Sequence, residues 1–117
     1  MDVFDENSLQ YFIDTMTQYF SKEEKHLTQG MDSGALEVFI VDMIEKAAVY
    51  GINFEDDVKY YILASLQLGI DFPDKYEWAN KILKDDALVS YEKTELLKAP
   101  VAHAFELKLA EQNDEIS

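Results

Sequence analysis

The sequence predicts an all-α protein, a single compact orthogonal bundle of five to six helices. Apolar residues recur at spacings of three and four along most of the chain, which is the period of a helix with one buried face. Helix-capping residues and the glycines at positions 30, 51 and 69 stand where these apolar stretches begin or end. No stretch shows the strict alternation of a half-buried strand, so no sheet is expected.

The first helix is expected over 8–28. Asn7 and Gln10 form a capping box at its start, and Gly30 suits the position just beyond its end. The apolar residues on its buried face are Leu9, Phe12, Ile13, Met16, Phe20 and Leu27.

The second helix is expected to begin at Asp32 or Ser33, either of which can cap it. Its main face is apolar, and Val38, Val41 and Val49 add apolar surface on other sides. A helix that is apolar nearly all round is usually buried on several sides, so this helix is expected at the centre. The β-branched stretch at 38–41 favours a strand as the alternative, but the helical period over seventeen residues outweighs it.

A tight junction separates the second and third helices. Gly51 is expected in the left-handed conformation with Ile52 closing over the helix end, and Asn53 is expected to cap the third helix. The acidic residues that follow lie in the first turn, where the helix dipole favours negative charge. Gly69 and Ile70 are expected to repeat the same ending.

The last third of the chain is expected to form a short helix after Pro73, a segment capped by Ser90, and a final helix over 101–111. Pro100 predicts a break or kink between the last two. The residues expected to point inward in the capped segment are Tyr91, Leu96 and Leu97.

Composition limits the classes of function. The chain has 117 residues, 48% of them apolar, which suits one domain over 1–117 with frayed ends at 1–6 and 113–117. Its net charge is −14, and all of its ten basic residues are lysines. Such a charge disfavours nucleic acid and anionic membranes as partners. Without cysteine, a secretion signal or a membrane-spanning stretch, the chain is expected to be cytoplasmic.

The chemical motifs are incomplete. Glu23 and His26 have the Glu-x-x-His spacing that supplies half of a di-iron site. The other histidine, His103, would need a glutamate three residues before it, but that residue is Pro100.

The stretch that begins at Asn53 resembles the start of a calcium-binding loop, which needs glycine at its sixth position and glutamate at its twelfth. Here those positions hold Val58 and Ala64, so the pattern fails. With no phosphate-binding loop or zinc motif either, we expect no enzyme activity, no metal and no other cofactor.

The stretch 47–97 carries a family resemblance. The residues that carry it are Ala47, Ala48, Tyr50, Gly51, Ile52, Glu55, Asp57, Val58, Tyr61, Leu68, Gly69, Asp71, Phe72, Trp78, Ala79, Ile82, Leu83, Asp85, Leu88, Lys93 and Leu96. In these the chain resembles small acidic helical proteins of bacteria that are found beside type VI secretion effector modules, near their adaptor and spike-tip genes. Those proteins commonly have a proline before the tryptophan, where this chain has Glu77, and a longer acidic insertion.

The resemblance implies a non-enzymatic helper, or co-chaperone, in the loading of a secretion effector or its adaptor. An immunity protein that neutralises a toxin is the close alternative. The acidity is also compatible with a protein that mimics nucleic acid and blocks a basic surface. A small enzyme is the least favoured hypothesis, because the chain carries no complete catalytic motif.

Two helix starts combine acidic groups with a tyrosine: Asp56 and Asp57 with Tyr60, and Asp74 with Tyr76. Tyrosine brings a large contact area to an interface, and carboxylates attract a basic partner. We expect these five residues to bind a protein with a basic surface. Reversing the charge of both Asp56 and Asp57 is expected to slow association and leave the fold intact. The alternative is that the acids only complement helix dipoles and the tyrosines only cover the core.

Overall fold

Seven helices follow one another along the part of the chain that the computed structural model describes, which is 8–116 for the backbone and 8–112 for the side chains. The helices are α1 (Leu9–Glu23), α2 (Lys25–Thr28), α3 (Ser33–Val49), α4 (Glu55–Leu68), α5 (Phe72–Lys75), α6 (Glu77–Leu83) and α7 (Ser90–Ile116). They form a compact bundle without a β-strand among the described residues, which confirms the all-α prediction. The stretch 38–41 is helical, so the strand alternative is wrong.

The core lies where α3 and α4 meet their neighbours. α3 packs against α1 and α4, α4 also packs against α7, and α6 packs against α5 and α7. Every helix except α2 contributes fully buried apolar side chains, each of which stabilises the fold by about 1.5–3 kcal/mol when it is as large as leucine or phenylalanine. The largest are Tyr61, Phe20, Phe72, Leu36, Ile40 and Met43.

The sequence predicts both ends of α3 correctly from residues that are close together in the chain. The Asp32 carboxylate accepts a hydrogen bond from the backbone N–H of Ala35 at 2.7 Å and so caps α3. Gly51 has a φ of +76°, and Ile52 is fully buried over the end of α3. The Ile52 N–H donates to the Ala47 carbonyl at 3.0 Å, as in the glycine-based helix ending that the sequence predicts.

Other boundaries differ from the prediction. The first predicted helix is divided at Glu24, whose backbone leaves the helical region, and the buried Thr28 hydroxyl donates to the Glu24 carbonyl at 3.2 Å. Phe54, rather than Asn53, occupies the position directly before α4. The end of α4 does not repeat the end of α3, because Ile70 is exposed. The predicted capping box at Asn7 lies outside the described residues.

α3 is less enclosed than its composition predicts. One face is buried between α1 and α4, but Val38 is exposed and Val49 is 80% exposed. Two neighbouring helices cover one side of α3 only, so the additional valines remain in contact with solvent.

α7 departs most from the prediction. It continues through Pro100 as one helix, so the predicted break is absent, and Leu97 and Val101 on either side of the proline are both buried. A proline inside a helix costs about 3 kcal/mol, which this packing offsets. Ser90 does not cap the helix; the Glu92 carboxylate instead accepts from the Val89 N–H at 3.0 Å.

Candidate functional site

A groove of about 570 Å³ lies between α4, α7 and the end of α1, and we call it the acidic groove. α4 lines it with Glu55, Asp56 and Tyr60, and α7 lines it with Tyr91, Glu95 and Lys98. It contains three of the residues predicted to bind a partner, Asp56, Asp57 and Tyr60, on the walls of one concave surface.

The two helices that form the groove run in the same direction and are joined by polar contacts at both ends of α4. At the beginning, the Asp57 carboxylate accepts from the Ser90 hydroxyl at 2.7 Å and from the Thr94 hydroxyl at 3.0 Å. Near the end, the Lys108 ammonium group donates to the Gln67 carbonyl at 3.1 Å. These contacts set the distance between the groove walls.

Asp57 therefore has a structural position rather than the surface position that the sequence predicts. It is only 9% exposed, whereas its neighbour Asp56 is exposed. Successive residues of a helix point about 100° apart, so one aspartate faces the groove opening and the other faces α7. The predicted surface position is wrong for Asp57, because its carboxylate is engaged by Ser90 and Thr94.

A second buried polar group fixes the beginning of α7. Lys93 is 6% exposed, and its ammonium group donates to the Tyr50 carbonyl and to the Leu83 carbonyl, each at 2.7 Å. These carbonyls belong to the ends of α3 and α6, where the helix dipole favours a positive charge. Lys93 thereby joins α7 to two other helices.

Aromatic side chains give the acidic groove its contact surface. Phe54 is 49% exposed and Tyr91 is 64% exposed at its edge, while Tyr60 is half-buried in its wall. Burial, and secondarily the negative charge of Glu95, raises the pKa of Tyr60 to about 12. The Tyr60 hydroxyl therefore keeps its proton to a higher pH than an ordinary tyrosine does.

Two lysines of the chain itself lie over tyrosine rings of the groove. The Lys59 ammonium group is 3.8 Å from the centre of the Tyr19 ring, and the Lys98 ammonium group is 5.8 Å from the centre of the Tyr60 ring. Lys98 also forms an ion pair with Glu95 at 2.6 Å. Four carboxylates line the groove against these two ammonium groups, so its surface carries an excess of negative charge.

Tyr60 provides a test of this environment at high pH. An unfolded tyrosine has a pKa near 10, so the unfolded chain loses this proton before the folded one does. The contribution of Tyr60 to stability is therefore complete below pH of about 10 and is lost as the pH rises towards 12. We expect Tyr60→Phe to reduce the loss of stability across this range, measured by urea unfolding at several pH values. The matched change at the exposed Tyr11, Tyr11→Phe, should leave the loss unchanged; an equal effect of both changes would contradict the assignment.

The other two predicted residues, Asp74 and Tyr76, do not join the acidic groove. Asp74 lines a smaller depression with Tyr50 and Tyr61, and its charge contributes to raising the pKa of both tyrosines after the larger effect of burial. Tyr76 packs against Trp78 with ring centres 5.1 Å apart and lines a cleft on the C-terminal half of α7. Asp74 and Tyr76, which the sequence predicts to act as a pair, therefore line two different depressions of the surface.

Sequence reasoning missed several residues of the groove. Of the three residues that the sequence predicts to point inward, Leu97 is buried, but Tyr91 and Leu96 are exposed. The buried face of α7 instead consists of Ser90, Lys93, Thr94, Leu97 and Val101. These five positions do follow a helical period, but three of them are polar, so a search for apolar periodicity selects the wrong face.

The described residues include no group of three or more His, Asp or Glu side chains placed to hold a metal ion. The two residues with di-iron spacing, Glu23 and His26, are both exposed. None of the described helices combines the length and the apolar character needed to cross a membrane.

The fold and the groove define the class of the protein as an acidic all-α bundle with an open, aromatic-lined surface groove. Comparisons with known protein families, with curated proteins and with solved structures gave no match to the chain.

Proposed function

We propose that this is a non-enzymatic, cytoplasmic accessory protein whose acidic groove binds a basic segment of another protein. The observation that carries the proposal is the combination of exposed aromatic rings, Phe54 and Tyr91, with carboxylates in one concave surface. Aromatic residues are enriched at the positions that supply most of the binding energy of an interface. An aromatic ring buries a large area, and its burial costs little side-chain conformational entropy. The excess of carboxylates selects a partner segment of positive charge.

The overall charge supports the same proposal through the rate of encounter. A net charge of −14 on a small domain produces a field that accelerates association with a basic surface and repels anionic ones. The groove concentrates that field, because Glu55, Asp56 and Glu95 lie within one concavity.

The resemblance over 47–97 supplies a proposed biological setting, the loading of a type VI secretion effector or its adaptor. Partners that copurify from the native host would test this setting. An effector together with its adaptor is the result expected of a helper, whereas protection of cells from a single toxin would assign the protein to immunity instead.

Asp56→Lys tests the groove as the binding surface. We expect it to slow association with the copurified partner and to weaken the dependence of that rate on salt, because it removes attraction at the groove opening. Tyr60→Ala should mainly speed dissociation, since it removes contact area from the groove wall. Both rates would be measured by surface plasmon resonance over a range of salt concentrations.

The control for Asp56→Lys is Asp42→Lys, which makes the same change in net charge on the exposed side of α3. It should change the association rate less than Asp56→Lys does. Equal effects of the two changes would show that only the overall charge matters and that the interface lies outside the acidic groove.

A further inference from the structure

The acidic groove already holds a cationic group of the chain itself. The Lys98 ammonium group lies 2.6 Å from the Glu95 carboxylate and over the Tyr60 ring, whose centre is 5.8 Å away. A positive side chain can therefore occupy this place, within reach of both a carboxylate and an aromatic face.

Lys98 is held there only weakly. Its side chain is 51% exposed and that of Glu95 is 43% exposed. Exposed ion pairs contribute little to stability, because water and salt screen them and two long side chains must be ordered. Lys59 differs, since it is partly buried and lies only 3.8 Å from the centre of the Tyr19 ring. Lys98 is thus the group that a ligand can displace at small cost.

We propose that Lys98 occupies the place of an arginine side chain from the partner and is displaced when that arginine binds. This inference rests on the proposed function and specifies the chemistry of its ligand. A guanidinium group can form two parallel hydrogen bonds with the Glu95 carboxylate and can stack flat on the Tyr60 ring. A lysine ammonium group does neither, and the chain contains no arginine of its own that would compete for the place.

Lys98 has two effects on binding in this arrangement. It keeps Glu95 paired while the groove is empty, and it must leave before an arginine can take both carboxylate oxygens. Replacing it with methionine keeps the apolar stem and removes the competing charge. The expected result is tighter binding of an arginine-bearing segment.

The experiment measures the affinity of two short capped peptides, one with a central arginine flanked by leucines and the other with lysine in its place. Chemical shifts of the Tyr60 and Tyr91 rings report binding by nuclear magnetic resonance. The wild-type protein should prefer the arginine peptide, and Lys98→Met should bind that peptide about three- to tenfold more tightly. Lys81→Met removes the same charge from an exposed ion pair with Glu77 on α6, outside the groove, and should change affinity by less than about twofold.

The outcomes separate this inference from the proposed function. Equal affinities of Lys98→Met and Lys81→Met overturn the displacement of Lys98, and equal binding of both peptides overturns the preference for arginine. If Asp56→Lys still weakens binding of the copurified partner in either case, the proposed function stands without the inference. If no ring shifts occur at millimolar arginine peptide, the inference is wrong; if Asp56→Lys also leaves partner binding unchanged, the proposed function is wrong as well.

Discussion

Replacing Asp57 with lysine is expected to destabilise the protein by about 3–5 kcal/mol, because it places an unpaired positive charge where a buried carboxylate now accepts two hydroxyl hydrogen bonds. Domains of this size are stable by only about 5–15 kcal/mol, so this substitution would remove a large part of the free energy of unfolding. Asp57→Asn keeps the shape and one good acceptor, and it should cost about 1 kcal/mol.

The adjacent Asp56→Lys is the matched control, since it makes the same change in net charge one residue away on an exposed side chain. Its unfolding midpoint in urea should stay close to that of the wild type, while the midpoint of Asp57→Lys falls clearly. Reversing both aspartates together is therefore a poor test of binding, contrary to what the sequence predicts, because the change at Asp57 would lower stability at the same time. Similar midpoints for the two single variants would contradict the buried position of Asp57.

Replacing Lys93 with methionine is expected to have the second largest effect. The change leaves the Tyr50 and Leu83 carbonyls without the charged donor that now lies 2.7 Å from each. Hydrogen bonds to charged groups contribute about 1.5–3 kcal/mol each, and part of this is offset because the buried ammonium group no longer has to be desolvated. We expect a net loss of about 2–3 kcal/mol, which lowers the thermal midpoint by roughly 4 °C per kcal/mol or more.

Lys84→Met is the control for this change, because Lys84 is exposed and lines the same cleft as Lys93. It should leave the midpoint of thermal unfolding, followed by circular dichroism, nearly unchanged. A Lys93→Met protein as stable as Lys84→Met would mean that the contacts between α7 and the ends of α3 and α6 do not hold the bundle together.

These two buried groups relate stability to the proposed binding surface. Asp57 ties α7 to α4 directly below the acidic groove, and Lys93 ties the same part of α7 to α3 and α6. Tyr91, Glu95 and Lys98 are therefore carried on a helix that is anchored on the adjacent face. A change at the exposed Asp56 should alter binding with little effect on stability, whereas changes at Asp57 and Lys93 should mainly lower stability.

Local interactions made much of the fold predictable. The helical period identifies the helices, the Asp32 cap bonds a residue three positions away, and the ending at Gly51 bonds Ile52 to Ala47, five positions away. Such contacts form within one short segment, so the residue types in that segment determine them. The Asp56 and Tyr60 part of the candidate site was predictable in the same way, because residues four apart share one helix face.

The tertiary structure alone decided the features whose partners are far apart in the chain. Asp57 is a structural acid because Ser90 and Thr94, 33 and 37 residues away, donate to it, and Lys93 is buried because the Tyr50 carbonyl, 43 residues away, accepts from it. Because of these contacts, three polar residues of α7, Ser90, Lys93 and Thr94, can be buried. A search for apolar periodicity cannot find such a face. Pro100 remains inside a helix for a related reason, since packing on both sides outweighs its local cost. The sequence by itself thus determined the helices and most of their ends, and only their packing decided which acidic and aromatic side chains the groove exposes.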